Sequence, residues 1–143
     1  MSEAQSNVVS AVMPSQLPPG PAERTVYSYG VRAGDQLHIS GMVAFDSEAN
    51  IVGEGDIEAQ TEQVFQNLQA VVEEAGGTIN NIVSTTTYLA DVTDAPVVNA
   101  ARARYFTGDV LPTHTVIGVA ALARPQFLVE ISAVAYLGDL SKD

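Results

Sequence analysis

The sequence contains no cysteine and only two histidines. Without cysteine there can be no disulfide, no thiolate nucleophile and no cysteine-ligated zinc or iron–sulfur site. The two histidines, His38 and His114, are far apart in the chain and match no metal-ligand spacing. We therefore expect no metal and no cofactor.

Basic residues are also scarce, with six lysines and arginines against 17 aspartates and glutamates, for a formal net charge of −11 at pH 7. Nucleic acids and anionic membrane surfaces are bound chiefly by lysine and arginine, so we expect neither as a partner. The sequence also has no basic n-region followed by an apolar stretch, and no apolar run of about 18 residues. These absences predict a cytoplasmic protein without a signal peptide or a membrane span.

The 143 residues, 46% hydrophobic and 16% charged, are enough for one folded domain. Four of the seven prolines lie before residue 25, and proline disfavours both helix and central strand. We therefore divide the chain into a Pro-rich N-terminal tail over 1–24, a domain over 25–138 and a C-terminal tail over 139–143. The N-terminal tail could be a partly disordered arm or an ordered arm that clasps a neighbouring subunit.

Within the domain, the hydrophobic period alternates between that of strands and that of helices. Alternating or β-branched segments predict strands at 27–31, 36–45, 82–90, 113–119 and 127–136, with a break or bulge at Ser40-Gly41. Apolar steps of three, four and seven residues predict helices over 56–75 and 95–106. With the segment 36–45 divided at Ser40-Gly41, the order β-β-β-α-β-α-β-β predicts an α+β fold, with two helices on one face of a mixed six-stranded sheet. Since the other face is not typical of exposed surface, we expect oligomerisation through it.

The segment from Pro112 to Leu122, followed by Leu128-Val129-Glu130-Ile131, is the most informative in the chain. It resembles the signature of the RidA/YjgF family, which has a proline, a small residue, an arginine, several apolar residues and then a Val-Glu-Ile strand. The resemblance covers about residues 25–137 and continues through Tyr27, Ser40-Gly41, Gly76-Gly77 and Asn99.

The resemblance implies a chorismate-mutase-like fold, with a six-stranded sheet and two helices on one side. It further implies a homotrimer whose sheets form a central barrel, with a small-molecule cleft at each subunit interface. In typical members, this cleft hydrolyses reactive enamines and imines to a 2-keto acid and ammonia. An arginine binds the substrate carboxylate there, and a water attacks the imine carbon.

Carried over by position, the resemblance implies His114 and Glu130 as catalytic residues. The substrate-binding residues that it implies are Tyr27, Ser40, Gly41, Asn99, Thr115 and Val116. His114 occupies the position of the family arginine, and Val116 a position often held by cysteine. Imidazole is smaller than guanidinium and cannot bind a carboxylate bidentately, so the mode of anion binding must differ.

Structural explanations compete with these roles. His114 could be a satisfied structural histidine, and Glu130 could belong to an ion pair inside its apolar strand. Arg124 is either a partner of Glu130, a substitute anion anchor or an exposed loop residue, and Arg102 and Arg104 are expected on a solvated helix face. Two hypotheses follow: a deaminase of enamines or imines with altered substrate preference, or a non-catalytic trimer that binds a small molecule or assists a pathway.

Overall fold

The structure, a computed structural model, describes residues 9–19 and 26–138. Six strands form one sheet in the order β1-β2-β3-β6-β4-β5, antiparallel throughout except for the parallel pair β4 and β5. Helices α1 and α2 pack against each other and on one face of this sheet, which confirms the predicted α+β class. The strands are β1 (Val9–Val12), β2 (Gly30–Ala33), β3 (Gln36–Met42), β4 (Ile82–Leu89), β5 (Thr113–Gly118) and β6 (Val129–Tyr136), and the helices are α1 (Ile57–Glu74) and α2 (Ala95–Tyr105).

The central strand β6 separates the two faces of the sheet. Every second residue from Val129 to Ala135 is at most 5% exposed and lies under the helices. The residues between them, Glu130, Ser132 and Val134, are half-buried on the face opposite the helices, which we call the open face. The alternation in the sequence thus follows the pleat of the strand.

Helix α1 begins and ends where its sequence predicts. The side chain of Asp56 accepts a hydrogen bond from the backbone N–H of Ala59 at 3.1 Å, which caps the first turn. Gly76, with φ of 95°, ends the helix in a conformation that favours glycine. Within residues 9–19 and 26–138, neither helix is long and apolar enough to cross a membrane.

The first strand comes from the segment that sequence analysis assigned to the N-terminal tail. Val9–Val12 pairs antiparallel with β2 and supplies hydrogen bonds to what would otherwise be an open edge. Val12 and Leu17 are buried in the core. The four residues of Val9–Val12 are too few to give a strong strand signal in the sequence. Their position is fixed by pairing with β2, some twenty residues further along the chain. Residues 1–8, 20–25 and 139–143 lie outside the described residues.

Two buried amides on α1 fix the loops on either side of the sheet end. Gln60, fully buried, donates to the carbonyls of Gly53 at 3.1 Å and Gln126 at 2.8 Å, and accepts from the N–H of Leu128 at 2.9 Å. Asn67 donates to the carbonyls of Val43 and Phe45, both at 3.0 Å. Because these loops have no strand pairing there, the amides satisfy backbone groups that burial would otherwise leave unpaired.

We predict that Gln60→Met lowers the free energy of unfolding by about 1–3 kcal/mol, because the three part-buried backbone groups that Gln60 bonds lose their partner. Urea denaturation at fixed protein concentration measures this change. Gln66→Met, at an exposed position of the same helix, is the matched control and should change stability little. Equal effects of the two substitutions would contradict the anchoring role of Gln60.

Candidate active site

A cavity of about 400 Å³ lies at the end of the sheet where β6 begins. Glu130, Tyr27 and Arg124 are its polar lining residues, and we call it the Glu130 cavity. Its apolar walls include Val43, Phe45, Ile51 and Phe127. A carboxyl group, a guanidinium and a phenol on an otherwise apolar lining are typical of a small-molecule site.

Glu130 is half-buried on the open face, opposite Tyr88 of β4. Burial raises the pKa of its carboxyl above the ordinary value. Within the described residues, no side chain or backbone group hydrogen-bonds to this carboxylate, and no cation lies within ion-pair distance. A structural ion pair within the described residues therefore does not explain Glu130. An unpaired carboxyl with a raised pKa in a cavity is typical of a residue that takes part in binding or catalysis.

The Ser40-Gly41 pair forms the predicted bulge, since the pairing of β3 with β6 shifts register between Ile39 and Met42. A Cβ at residue 41 would fall on Oε2 of Glu130 and lie 2.8 Å from its Cδ. Gly41 therefore provides the space that the carboxylate occupies. The Ser40 hydroxyl donates to the carbonyl of Ser28 at 2.6 Å, so it fixes the backbone of the segment that precedes β2.

Tyr27 forms the exposed rim of the Glu130 cavity, with 56% of its surface accessible. Its ring meets that of Tyr29 edge-to-face at 6.0 Å, and Tyr29 in turn packs edge-to-face on Phe45 at 6.3 Å. The Tyr29 hydroxyl donates to the carbonyl of Pro18 at 2.7 Å. The aromatic wall is thereby tied to the N-terminal segment.

Arg124 lies in the loop before β6, with its guanidinium 6.0 Å from the ring centroid of Phe127. Its side chain is exposed yet lines the Glu130 cavity. The loop position suggested by the sequence is thus observed, and Arg124 shares a cavity with Glu130 without forming an ion pair with it. Since Gln60 holds the following residues 126 and 128, this loop is anchored beside the cavity.

His114 belongs to a second group of side chains at the edge strand β5. It pairs with Thr85 of β4. Val116, two residues further along the strand and therefore on the same face, packs against the core under the helices. His114 therefore points to the helix side of the sheet. His114 is exposed, and its partial desolvation and then the positive charge of Arg102 lower the pKa of its imidazole, which favours the neutral form near pH 7. Thr115 is exposed and points to the open face.

Arg102 does not lie on a solvated helix face as the sequence analysis expected. Its Nη1 donates to Oγ1 of Thr85 at 2.8 Å, and its guanidinium carbon lies 5.0 Å from the ring centroid of Phe106. Arg104 has the expected position, paired with Glu62 at 3.1 Å on the surface. Asn99 is exposed on α2, one turn before Arg102. We call Arg102 and His114, which are linked through the positive charge of Arg102 and the strand partner Thr85, the β5 edge cluster.

One chain does not bring the two groups together. Glu130 is opposite Tyr88 of β4, whereas His114 is opposite Thr85 of the same strand. Since residues three apart on a strand point to opposite faces, Glu130 and His114 lie on opposite faces of the sheet. The sequence thus identified members of both groups but did not reveal that they are separate.

Comparison with known proteins agrees with this fold. The sequence model of a family described as "Endoribonuclease L-PSP" matches residues 19–137. A RutC family protein of Pyrococcus horikoshii is 36% identical over 110 residues, which are 77% of this chain and 86% of that protein. A RutC family protein of Synechocystis is 39% identical over 118 residues, which are 82% and 90% of the two chains.

Two solved structures extend the likeness to three dimensions. The Rid family protein YyfA of Yersinia pestis, described as of unknown function, has a TM-score of 0.82 at 31% identity, over 90% of this chain and 99% of that one. RidA from an Antarctic Psychrobacter has a TM-score of 0.79 at 30% identity, over 89% and 98%. The chain belongs to the RidA/YjgF family.

We predict that Gly41→Ala leaves the protein folded but displaces the Glu130 carboxylate, because the new methyl group takes the position of a mobile side-chain end. The displaced group should gain water, and its raised pKa should fall towards the ordinary value. The ¹³C shift of the Glu130 carboxyl, followed by titration, measures this change. Gly108→Ala, where a Cβ meets nothing nearer than 3.5 Å, is the control; an unchanged pKa of Glu130 in Gly41→Ala would contradict the assigned packing.

Proposed function

We propose that the protein is a hydrolytic deaminase of enamine or imine intermediates, with a substrate preference altered by His114. The half-buried, unpaired carboxylate of Glu130 in its cavity carries this proposal. A desolvated acid with a raised pKa is suited to moving protons near neutral pH. Membership of the RidA/YjgF family supports the reaction class.

In the proposed reaction, a water adds to the imine carbon and its proton passes to the Glu130 carboxylate. The carbinolamine so formed receives a proton on nitrogen from Glu130. Glu130 then takes the hydroxyl proton and delivers it to the same nitrogen as the C–N bond breaks, so that ammonia leaves and the hydroxyl oxygen becomes the carbonyl of the product. Atoms balance as imine plus water giving a keto compound plus ammonia, and no oxidant or reductant is needed.

The other residues take positioning roles in this proposal. Tyr27 closes the rim of the Glu130 cavity, and Gly41 leaves room for the carboxylate. A neutral His114 can donate a hydrogen bond to a carbonyl or carboxylate oxygen of the substrate. Thr115 and Val116 lie on the edge strand β5 and Asn99 lies on helix α2, and of these three Asn99 and Thr115 are exposed to solvent.

The active site is proposed to form between copies of the chain in a homotrimer. Glu130 and His114 point to opposite faces of one sheet, so a small substrate can reach both only if two copies contribute. Apolar side chains near the β5 edge, which a monomer would leave in water, support this assembly: Val110 is 83% exposed, Leu111 66% and Ile117 40%.

The competing hypothesis is a trimer that binds a small molecule without turnover, and the absence of the family arginine at residue 114 favours it. Ribonuclease activity, which the description of the matched family model suggests, is disfavoured by the net charge of −11. Assay of the purified protein separates a deaminase from a binder. The deaminase hypothesis would be contradicted if a correctly assembled oligomer showed no turnover of imino acids with short, long or aromatic side chains.

We predict that Glu130→Gln lowers the rate of keto-acid and ammonia release from enzymatically generated imino acids by about 100-fold or more, the size of a lost general acid–base contribution. In the wild type, the rate should fall as the pH drops through the raised pKa of Glu130, because the base becomes protonated. Glu73→Gln, at an exposed position of α1, is the control. Full activity in Glu130→Gln would contradict the proposed role.

The same substitution has an expected effect on stability. Because the folded pKa of Glu130 is raised, the native state holds its proton to a higher pH than the unfolded chain, and the free energy of unfolding falls as the pH rises through this window. Glu130→Gln should remove that fall and be at least as stable as the wild type at pH 7. Loss of stability together with activity would indicate a structural role.

A further inference from the structure

Arg102 is held rigidly at the edge of the sheet. Its Nη1 donates to Oγ1 of Thr85, and the same hydroxyl donates to the carbonyl of Thr113 at 2.8 Å. Stacking on Phe106 fixes the plane of the guanidinium from another side. The guanidinium therefore lies near the start of β5, beside His114.

This guanidinium is half-buried without an acid to neutralise it. Burial lowers the pKa of Arg102, but an arginine remains charged in a protein. In the part of the chain that the structure describes, the only ion pair is that of Arg104 with Glu62. A desolvated charge without a partner is costly, and an anion supplied by a ligand would relieve that cost.

Most of the hydrogen-bonding capacity of Arg102 is also unused. A guanidinium has five N–H donors, and within residues 9–19 and 26–138 only Nη1 has a hydrogen-bond acceptor. The side chain is partly exposed, so the remaining donors can be reached from solvent. Such a fork matches the two oxygens of a carboxylate.

We propose that Arg102 binds the carboxylate of the ligand at the edge of β5, with His114 beside it. The proposal builds on the proposed function and identifies the residue of this chain that holds the carboxylate of an imino-acid substrate. It also explains how a site can retain an anion anchor with histidine at residue 114: the positive charge comes from helix α2 instead of strand β5.

The two other cations near candidate sites fit this role less well. Arg124 lies on an exposed loop and lines the Glu130 cavity instead of the β5 edge. Arg104 is already paired with Glu62 and lies at the surface. A single guanidinium beside a neutral imidazole suits a carboxylate monoanion better than a phosphate dianion, which several cations usually bind.

The test uses the intact oligomer and the stable acid 2-oxobutanoate as a probe of the product class. We expect saturable binding by calorimetry, and a shift of the Arg102 Nε–Hε resonance in the wild type. Arg102→Gln should weaken binding at least about tenfold, the usual cost of a lost charged hydrogen bond. Arg104→Gln is the matched control on the same helix and should bind as the wild type does. Neutral 2-butanone should not bind.

Since Arg102 also contacts Thr85 and Phe106, melting curves must show that each variant is folded. Arg102→Lys keeps the charge but loses the fork, so it should bind with intermediate affinity. If Arg102→Gln does not fold, the resonance shift in the wild type decides alone. Binding unaffected by Arg102→Gln, or an unmoved Arg102 resonance at saturation, would overturn the proposal. Stronger binding of inorganic phosphate than of 2-oxobutanoate would overturn the carboxylate assignment.

These outcomes separate the binding role from the proposed reaction. Turnover that needs Glu130, with the same KM in wild type and Arg102→Gln, would refute the role of Arg102 and leave the deaminase intact. Binding of 2-oxobutanoate that depends on Arg102, without turnover of any imino acid, would refute the deaminase and leave the anion site intact.

Discussion

The carboxylate of Glu130 lies where a Cβ of residue 41 would be, and this close approach sets the shape of the candidate site. It requires glycine at a bulge in β3, and it places an unpaired acid at the open end of β6. Around it, Gln60 fixes the loop that leads into β6, and Asn67 fixes Val43 and Phe45 of the opposite wall. The two buried amides of Gln60 and Asn67 thus hold the backbone around the candidate site in place.

Positive charge is scarce in this chain, which has six basic residues in all. Of those that the structure describes, Arg32 binds backbone carbonyls of Gly34 and Ala75, and Arg104 pairs with Glu62. Arg102 and Arg124 alone lie beside candidate ligand positions. In a protein with a net charge of −11, the half-buried guanidinium of Arg102, without an acid partner among the described residues, is therefore a specific feature.

Sequence patterns were sufficient for the fold because its elements are locally determined. The α1 stripe, the Asp56 cap and the alternation of β6 all depend on residues close in sequence. Strand β1 was missed because only its pairing with β2 defines it. Arg102 was misplaced for a similar reason: its position depends on Thr85, seventeen residues away, and helical periodicity alone does not distinguish a solvated arginine from one stacked at a sheet edge.

The central claim is that Glu130 of one copy and the β5 edge cluster of a neighbouring copy form one site. Mixing Glu130→Gln chains with chains carrying both His114→Ala and Arg102→Gln, by co-refolding or co-expression, tests it directly. Each variant alone should be inactive in imino-acid hydrolysis. In 1:1 mixed oligomers, about a quarter of the interfaces combine two unsubstituted halves, and a matching share of the wild-type activity should return. Mixed oligomers that form, as shown by mass spectrometry, but stay inactive would contradict the claim.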